Sequence, residues 1–285
     1  MRTWLVALAG VSGLAGVAAA DSGPPGMTAP VSTAAPGAPD PAAATTAPTP
    51  SPLDEIAQYP ASDRGALFEN ALTVPVGQVE IDARATMGIG IVDLRAGLTA
   101  TTELSAEVGI AAMTSDGSPG VTPEVAVGIK QVLVRGRRFR LAIDGGVRLV
   151  FDNTQTDDPG CCVSSPSSNP PTTLLSVGAV ATGCVDGNCV LRVSVGGQLW
   201  AELGDGGGTV GVAWLDAELG SPRFRVASEA MVALDGGGDG ATSVVMIGLR
   251  GGWRHLALEG GAAIANAGDG GSSATLPYFG ITGRL

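Results

Sequence analysis

Residues 139–151 (FRLAIDGGVRLVF) sort two kinds of side chain with a period of two. Phe139, Leu141, Ile143, Gly145, Val147, Leu149 and Phe151 carry no charge, while the interleaved Arg140, Ala142, Asp144, Gly146, Arg148 and Val150 include two arginines and an aspartate. Side chains of an extended chain point alternately to opposite faces. A strand here therefore has an uncharged face with an aromatic at each end and a charged face behind it. At roughly 3.3 Å per residue and a tilt near 40° it rises about 30 Å, close to the apolar band of a membrane strand with its flanking aromatics. A strand half buried in a soluble sheet alternates in the same way, so the rest of the chain must decide.

Residues 1–20 read as a secretory signal, with Arg2 as the positive start, an apolar run from Trp4 to Val17, and Ala18-Ala19-Ala20 as a small-residue cleavage site. No cysteine follows that run to carry a lipid anchor. No later stretch approaches the ~18 uninterrupted apolar residues of a membrane helix. Yet the mean hydropathy is +0.29, with 44 glycines and 15% charged residues. Positive hydropathy without a helical span is what a membrane barrel predicts. The formal charge of -11 argues against nucleic acid as a partner. Four cysteines in an exported chain make disulfides local supports at most.

Residues 21–52, nearly all Pro, Ala, Thr, Ser and Gly, read as a disordered periplasmic spacer. Residues 53–75 form a short lead-in. Within it, Leu53 to Leu72 suggests a short helix limited by Pro60, with Ser62 or Asp63 as cap and Leu67 and Phe68 as apolar contacts. Residues 76–285 read as a barrel of about twelve strands: 78–87, 90–99, 103–113, 122–134, 138–151, 173–184, 189–203, 209–219, 223–234, 242–253, 255–266 and 275–285. Connections after even strands are short, and most after odd strands are longer (114–121, 152–172, 204–208, 235–241, 267–274). The tight first hairpin near Gly88 is the exception. That asymmetry belongs to barrels whose short turns face the periplasm. The two-faced pattern recurs in Leu191, Val193, Val195 and Leu199 against Arg192, Ser194, Gln198, Trp200 and Glu202. A soluble sandwich would need neither matching spans nor loop asymmetry.

Arg95-Ala96-Gly97-Leu98-Thr99 followed by Glu103-Leu104-Ser105 resembles the strand, periplasmic turn and strand of bacterial outer-membrane β-barrel proteins. Phe68-Glu69-Asn70-Ala71 followed by Pro75-Val76-Gly77 resembles the lead into their first strand. The resemblance covers roughly residues 65–285 and implies an all-β, antiparallel up-and-down transmembrane barrel in the bacterial outer membrane, surrounded by lipid and inserted by the outer-membrane assembly machinery. That machinery usually reads a terminal aromatic. Here the last residue is Leu285, although Phe279, Ile281, Gly283 and Leu285 keep the outward alternation. Phe139, Phe224 and Trp253 fall beside short turns on the outward parity, where an interfacial belt belongs.

The inward parity collects Glu80, Asp82, Arg84, Asp93, Arg95, Glu107, Lys130, Arg140, Asp144, Arg148, Arg192, Glu202, Arg225, Glu229, Arg250, Glu259 and Arg284. Mixed signs suggest an ion-pair network, because charges facing a narrow interior need partners or water. Two readings stay open: the charges brace a filled lumen, or they set the selectivity of a conducting one. About twelve strands lies between filled small barrels and open large ones.

Cys184 and Cys189 flank Asp186-Gly187 and are disulfide candidates across a turn. Their strand parities conflict, with Cys184 inward and Cys189 outward, which a bulge would reconcile. Cys161-Cys162 sits in the longest loop, as free thiols, a link to another chain, or a strained vicinal bond. The single His255 has no adjacent serine, so no catalytic constellation is expected, and neither is a metal or cofactor site. The Gly/Asp-rich loops lack calcium-loop ligand order and read as hairpin connections. The expected function is porin-like passage of small solutes or ions. The alternative is a structural or surface-interaction barrel with a closed, salt-bridged lumen.

Overall fold

The computed structural model describes residues 51–62, 69–86, 89–115, 118–151, 171–204, 207–235, 241–266 and 273–285. The expected signal, nearly all of the expected spacer, Asp63, Leu67, Phe68 and the Cys161-Cys162 pair lie outside them. Among the described residues one short helix, α1 (Pro52–Ile56), precedes twelve strands: β1 (Val79–Thr86), β2 (Ile89–Gly97), β3 (Thr102–Ser115), β4 (Ser118–Arg135), β5 (Phe139–Val150), β6 (Thr172–Cys184), β7 (Leu191–Leu203), β8 (Thr209–Ser221), β9 (Phe224–Asp235), β10 (Ala241–Gly252), β11 (Leu256–Asn266) and β12 (Ser273–Arg284).

Each strand pairs antiparallel with the next. The sheet closes where β1 meets β12, with Glu80 opposite Arg284 and Ala85 opposite Phe279. The period-two pattern thus becomes an inside and an outside. In β5, Phe139, Ile143 and Val147 are exposed while Arg140 and Ala142 are buried. The same holds around the ring: Leu94, Ile129, Val177, Leu199, Leu215, Ile247 and Phe279 are all exposed. In a sandwich those apolar faces would be covered by a second sheet. Here the charges point inward and the apolar side faces outward, an arrangement that lowers free energy only when the surroundings are lipid. Among the described residues no helix is long and apolar enough to cross a membrane; the strands are the crossing elements.

One expected connection is largely strand. β3 and β4 stay paired out to Ser115 opposite Ser118, so the span read as a 114–121 loop continues the hairpin. Turn-forming residues do not end a ladder whose partner is already in register. β4 also carries a bulge between Val132 and Val134, which leaves Leu133 and Val134 both facing out.

Both ends of the barrel segment reach one rim, where Val79 and Leu285 exchange backbone hydrogen bonds. The connections 98–101, 136–138, 185–190, 222–223 and 253–255 share that rim, which is therefore the periplasmic one.

Of the helix expected between Leu53 and Leu72, the described residues hold the five-residue α1, while 63–68, with the expected Asp63 cap and the Leu67 and Phe68 contacts, lie outside them. Ser51, not Ser62, caps it. The Ser51 hydroxyl accepts from the Asp54 amide at 3.1 Å, and the Asp54 carboxylate accepts from the Ser51 amide. Beyond Ile56, carbonyls that a longer helix would use internally accept hydrogen bonds from barrel arginines, which compete successfully for them. The segment turns into the wall at Gly77, whose φ of +74° favours glycine. Gly97 of β2 leaves the space through which the backbone of Val74 and Pro75 passes, because a Cβ there would overlap their carbonyl oxygens.

Candidate functional site

The lumen has two levels, and the lower one is occupied by the chain itself. Leu53, Ile56, Ala61, Asn70, Ala71, Leu72 and Val74 are all buried within the barrel. An irregular segment in that position must satisfy its backbone groups without a ladder partner. Barrel side chains do this. Arg284 donates to the carbonyls of Ala57 at 3.0 Å and Tyr59 at 2.8 Å. Arg250 reaches Ala61 O at 2.8 Å, and Arg192 reaches Ser62 O at 2.8 Å. In the opposite sense, Glu80 accepts from the Ala61 amide at 3.0 Å, Thr182 from Ala71 at 2.8 Å, and Glu103 from Val74 at 2.7 Å.

The same side chains are bound to one another. Glu218 is the hub, taking Arg192 at 2.6 Å, Arg225 at 2.9 Å and Arg250 at 3.0 Å; Arg250 also pairs with Glu259 at 2.8 Å. Glu80 pairs with Arg284. Arg192 and Glu218 have no accessible surface. A charge so buried is tolerable only when paired and hydrogen-bonded, which the three-to-one arginine cluster and the segment's carbonyls together supply.

At the mouth, Arg135 and Arg140 both meet Asp54 at 2.5 Å. Burial raises the Asp54 carboxyl, but the hydrogen bonds from Arg135 and Ser51 and the charges of Arg140 and Arg135 outweigh it and hold the pKa at about 2. Beneath α1, Leu53, Ile56 and Leu72 pack on Cys189, with Cys184 beside it. Cys184 and Cys189 are joined by a disulfide. The parity conflict dissolves because Cys189 lies outside β7, in the 185–190 turn, where its φ of +57° aims it inward. Asp186 accepts from the amides of Leu191 at 2.8 Å and Asn188 at 3.1 Å, and these bonds keep its carboxyl low.

Glu69 opens the second described stretch of the segment, 69–75. Its carboxylate meets Lys130 at 3.0 Å and Arg95 at 3.8 Å, and its carbonyl accepts from the indole of Trp214 at 3.3 Å. Above it lies a cavity of about 150 Å³ whose lining includes Arg84, Glu107, Asp144, Arg148, Gln198 and Trp200. Arg148 meets Glu107 and Glu124 at 2.7 Å each and lies 4.9 Å from the Trp200 ring centre. All three charged groups keep about a fifth of their surface in water. The facing wall is apolar, with Trp214, Met231, Met246 and Tyr278 in one cluster. Glycines make the room: a side chain at Gly196 would overlap Trp214, and one at Gly248 would overlap Tyr278.

Of the other charges read as lumen-facing, Lys130 joins Glu103 and Glu69. Arg84 and Arg95 bind Asp82 at 2.8 Å and Asp93 at 2.5 Å, Asp144 accepts from Gln198 at 2.8 Å, Glu229 is buried opposite Asp216, and Glu202 is half-buried near the outer end of β7. Reading the strands missed Glu103, Glu124, Asp216 and Glu218. The alternation Val212, Trp214, Asp216, Glu218 against Ala213, Leu215, Ala217 contained the signal for β8. Nothing in a linear pattern pointed to Asp54 or Glu69, which lie outside any strand. His255 is exposed at the 253–255 turn. Among the described residues no three His, Cys, Asp or Glu side chains converge to hold a metal.

No protein-family model matches the chain, and no curated protein matches it in sequence. Solved structures do. An outer membrane channel from Pseudomonas putida F1 aligns over 75% of this chain and 98% of its own, with a TM-score of 0.50 and 12% identity. KdgM porin aligns over 72% and 98% with a TM-score of 0.48 and 11% identity, and NanC porin over 73% and 99% with 0.47 and 11%. At such identity the likeness to the channel is one of fold. Together with the apolar exterior and the closed antiparallel ring, it gives this chain the fold of a bacterial outer-membrane β-barrel.

Proposed function

We propose that the protein is a plugged, porin-like channel. The lead-in segment, described over residues 51–62 and 69–75, shuts the periplasmic mouth, and small solutes or ions cross when that segment leaves the lumen. The manner in which the segment is held supports this reading. A permanent brace needs only side chains paired across the lumen. Here Arg192, Arg250, Arg284, Glu80 and Glu103 are turned toward the backbone of a separate, mostly irregular segment. Water can replace such hydrogen bonds one for one, so exchanging them costs far less than stranding the charges. The partly hydrated cavity above, with Arg148, Glu107 and Glu124 on its wall, presents both signs of charge to an entering ion. The partners in this reading are outer-membrane lipid, the assembly machinery that inserts the barrel, and the solutes. Neither catalysis nor a cofactor enters it.

The buried arginines around Glu218 favour a second reading, a closed structural barrel. Planar-bilayer recording separates the two. The full chain is expected near background conductance, and a chain lacking residues 51–75 is expected to conduct steadily. Urea at the periplasmic face should open the full chain reversibly, an independent check if the shortened chain folds poorly. A shortened chain that migrates as a folded, heat-modifiable barrel yet carries no current would sink the channel reading.

A further inference from the structure

The chain sorts its positive charge. From β1 onward every lysine and arginine lies either on the lumen face or at the periplasmic rim, and the connections after β3, β5, β7, β9 and β11 each contain aspartate but no basic residue. The rim, by contrast, carries Arg137 and Arg138 in the 136–138 turn, Arg223 in the 222–223 turn and Arg254 in the 253–255 turn, all exposed. In a protein where acidic residues outnumber basic ones 27 to 16, none of these four has an ion-pair partner among the described residues. Asp54, at the same mouth, is bound to Arg135 and Arg140, and Asp186 to the amides of its own turn.

Each of the three turns also places an exposed aromatic next to its arginine. Phe139 follows Arg138, Phe224 follows Arg223 and Trp253 precedes Arg254, and these rings are 46%, 55% and 56% exposed on the lipid side. Phe224 sits opposite Gly251, against which the Trp253 ring also lies, so two of the aromatics share one patch. Aromatic rings at the lower edge of an apolar band fix the height of the membrane interface. Long guanidinium side chains one residue away reach the headgroup level around the barrel. A protein docking from the periplasm would call for one contiguous patch. These arginines are spread over the β4–β5, β8–β9 and β10–β11 turns, a ring matched to the lipid annulus.

We propose that Arg137, Arg138, Arg223 and Arg254 form a cationic collar that binds the phosphate headgroups of anionic phospholipids in the inner leaflet of the outer membrane. A guanidinium pairs with phosphate by parallel charge-assisted hydrogen bonds, and an anionic leaflet adds attraction for each basic residue at its surface. The collar is independent of whether the lumen conducts.

Native mass spectrometry of the full chain in micelles holding equal phosphatidylglycerol and phosphatidylcholine tests it. The wild type should retain phosphatidylglycerol over phosphatidylcholine by roughly tenfold, and the variant with all four arginines changed to glutamine should lose that preference. The variant with all four changed to lysine should keep most of it, and both should retain heat-modifiable migration. If the glutamine variant is poorly folded, the lysine variant and salt titration of the wild type carry the test, with retention falling as salt rises. Equal retention of the two lipids by the wild type would overturn the proposal. So would a preference that survives in the glutamine variant.

Discussion

The periplasmic and outer halves of the lumen are lined by the same residue types and behave as different materials. Below, Arg192 and Glu218 have no accessible surface, and their charges are spent on one another and, for Arg192, on the backbone carbonyl of Ser62. Above, Arg148 with Glu107 and Glu124 forms an ion pair of similar length that keeps about a fifth of its surface in water. The difference comes from what covers each pair and not from its geometry. A buried charge stranded by loss of its partner is expensive, whereas a hydrated one is merely released.

Removing one partner from each level gives the sharpest way to break the comparison. Glu218→Ala leaves three guanidiniums around a vacated carboxylate, and the barrel should lose about 3–5 kcal/mol of stability. Arg148→Ala should cost less, about 1–2 kcal/mol, since water from the cavity reaches the two carboxylates it leaves. The urea midpoint of the heat-modifiable band measures both. Equal losses would mean that the two levels are not distinct.

Next comes the segment's apolar anchor. Leu72 is fully buried and packs with Leu53 and Ile56 on Cys189. Leu72→Ala should weaken seating of the segment by roughly 2–5 kcal/mol while sparing the barrel wall, because the cavity opens beneath the segment and not between strands. Limited proteolysis near residue 60 should accelerate with no change in heat-modifiability. If the barrel melts together with the segment, the lower level is part of the wall and not a removable insert.

Much of this architecture was legible because a strand's period is rigid. Phe139 to Phe151, and Leu191 to Glu202, assign each side chain to a face without knowledge of any partner, and twelve such spans close without leaving an edge. Depth along the lumen was not legible. Arg192 and Arg148 have the same parity and opposite surroundings, and only the chain seated beneath one of them makes the difference. The seating of the lead-in was not legible for a related reason: at its described residues backbone groups are met by side chains distant in sequence, such as Thr182 with Ala71 and Glu80 with Ala61, so no local pattern records it. Where the lead-in is described after Ile56, the carbonyls of Ala57 and Tyr59 are taken by Arg284, and the chain leaves the helix there. The cysteine parity failed for a simpler reason, since Cys189 belongs to a turn and not to a strand.

A smaller effect should follow from the disulfide. Cys184 and Cys189 are five residues apart, so the bond closes a short loop and restricts the unfolded chain by about 2 kcal/mol. Because it also floors the Leu53, Ile56 and Leu72 contact, replacing both cysteines with serine should loosen the segment more than the outer cavity. Hydrogen exchange at Leu53 and Leu72 compared with Val147 and Val177 would register that gradient. Uniform loosening would remove the disulfide from the lower level.

The smallest effect, and the one that reads the mouth alone, is titration of Asp54. Its carboxyl is held at about 2 in the folded chain against an ordinary 3.8. A lowered folded value means that the Asp54 contribution is fully present above the unfolded value and disappears as pH falls through the folded one. The latch to Arg135 and Arg140 should thus be constant from neutral pH down to about 4, weaken below that and be gone near pH 2. As Asp54 and Arg135 are substantially exposed, the contribution is below about 1 kcal/mol. Asp54→Asn removes the charge at every pH. Proteolytic access to α1 in this variant should exceed that of the wild type at pH 7 and converge with it near pH 2. Arg148, which pairs with Glu107 and Glu124 of the wall, should respond to neither change, and a variant whose cavity ion pair shifted with Asp54 would show that the two halves of the lumen are coupled after all.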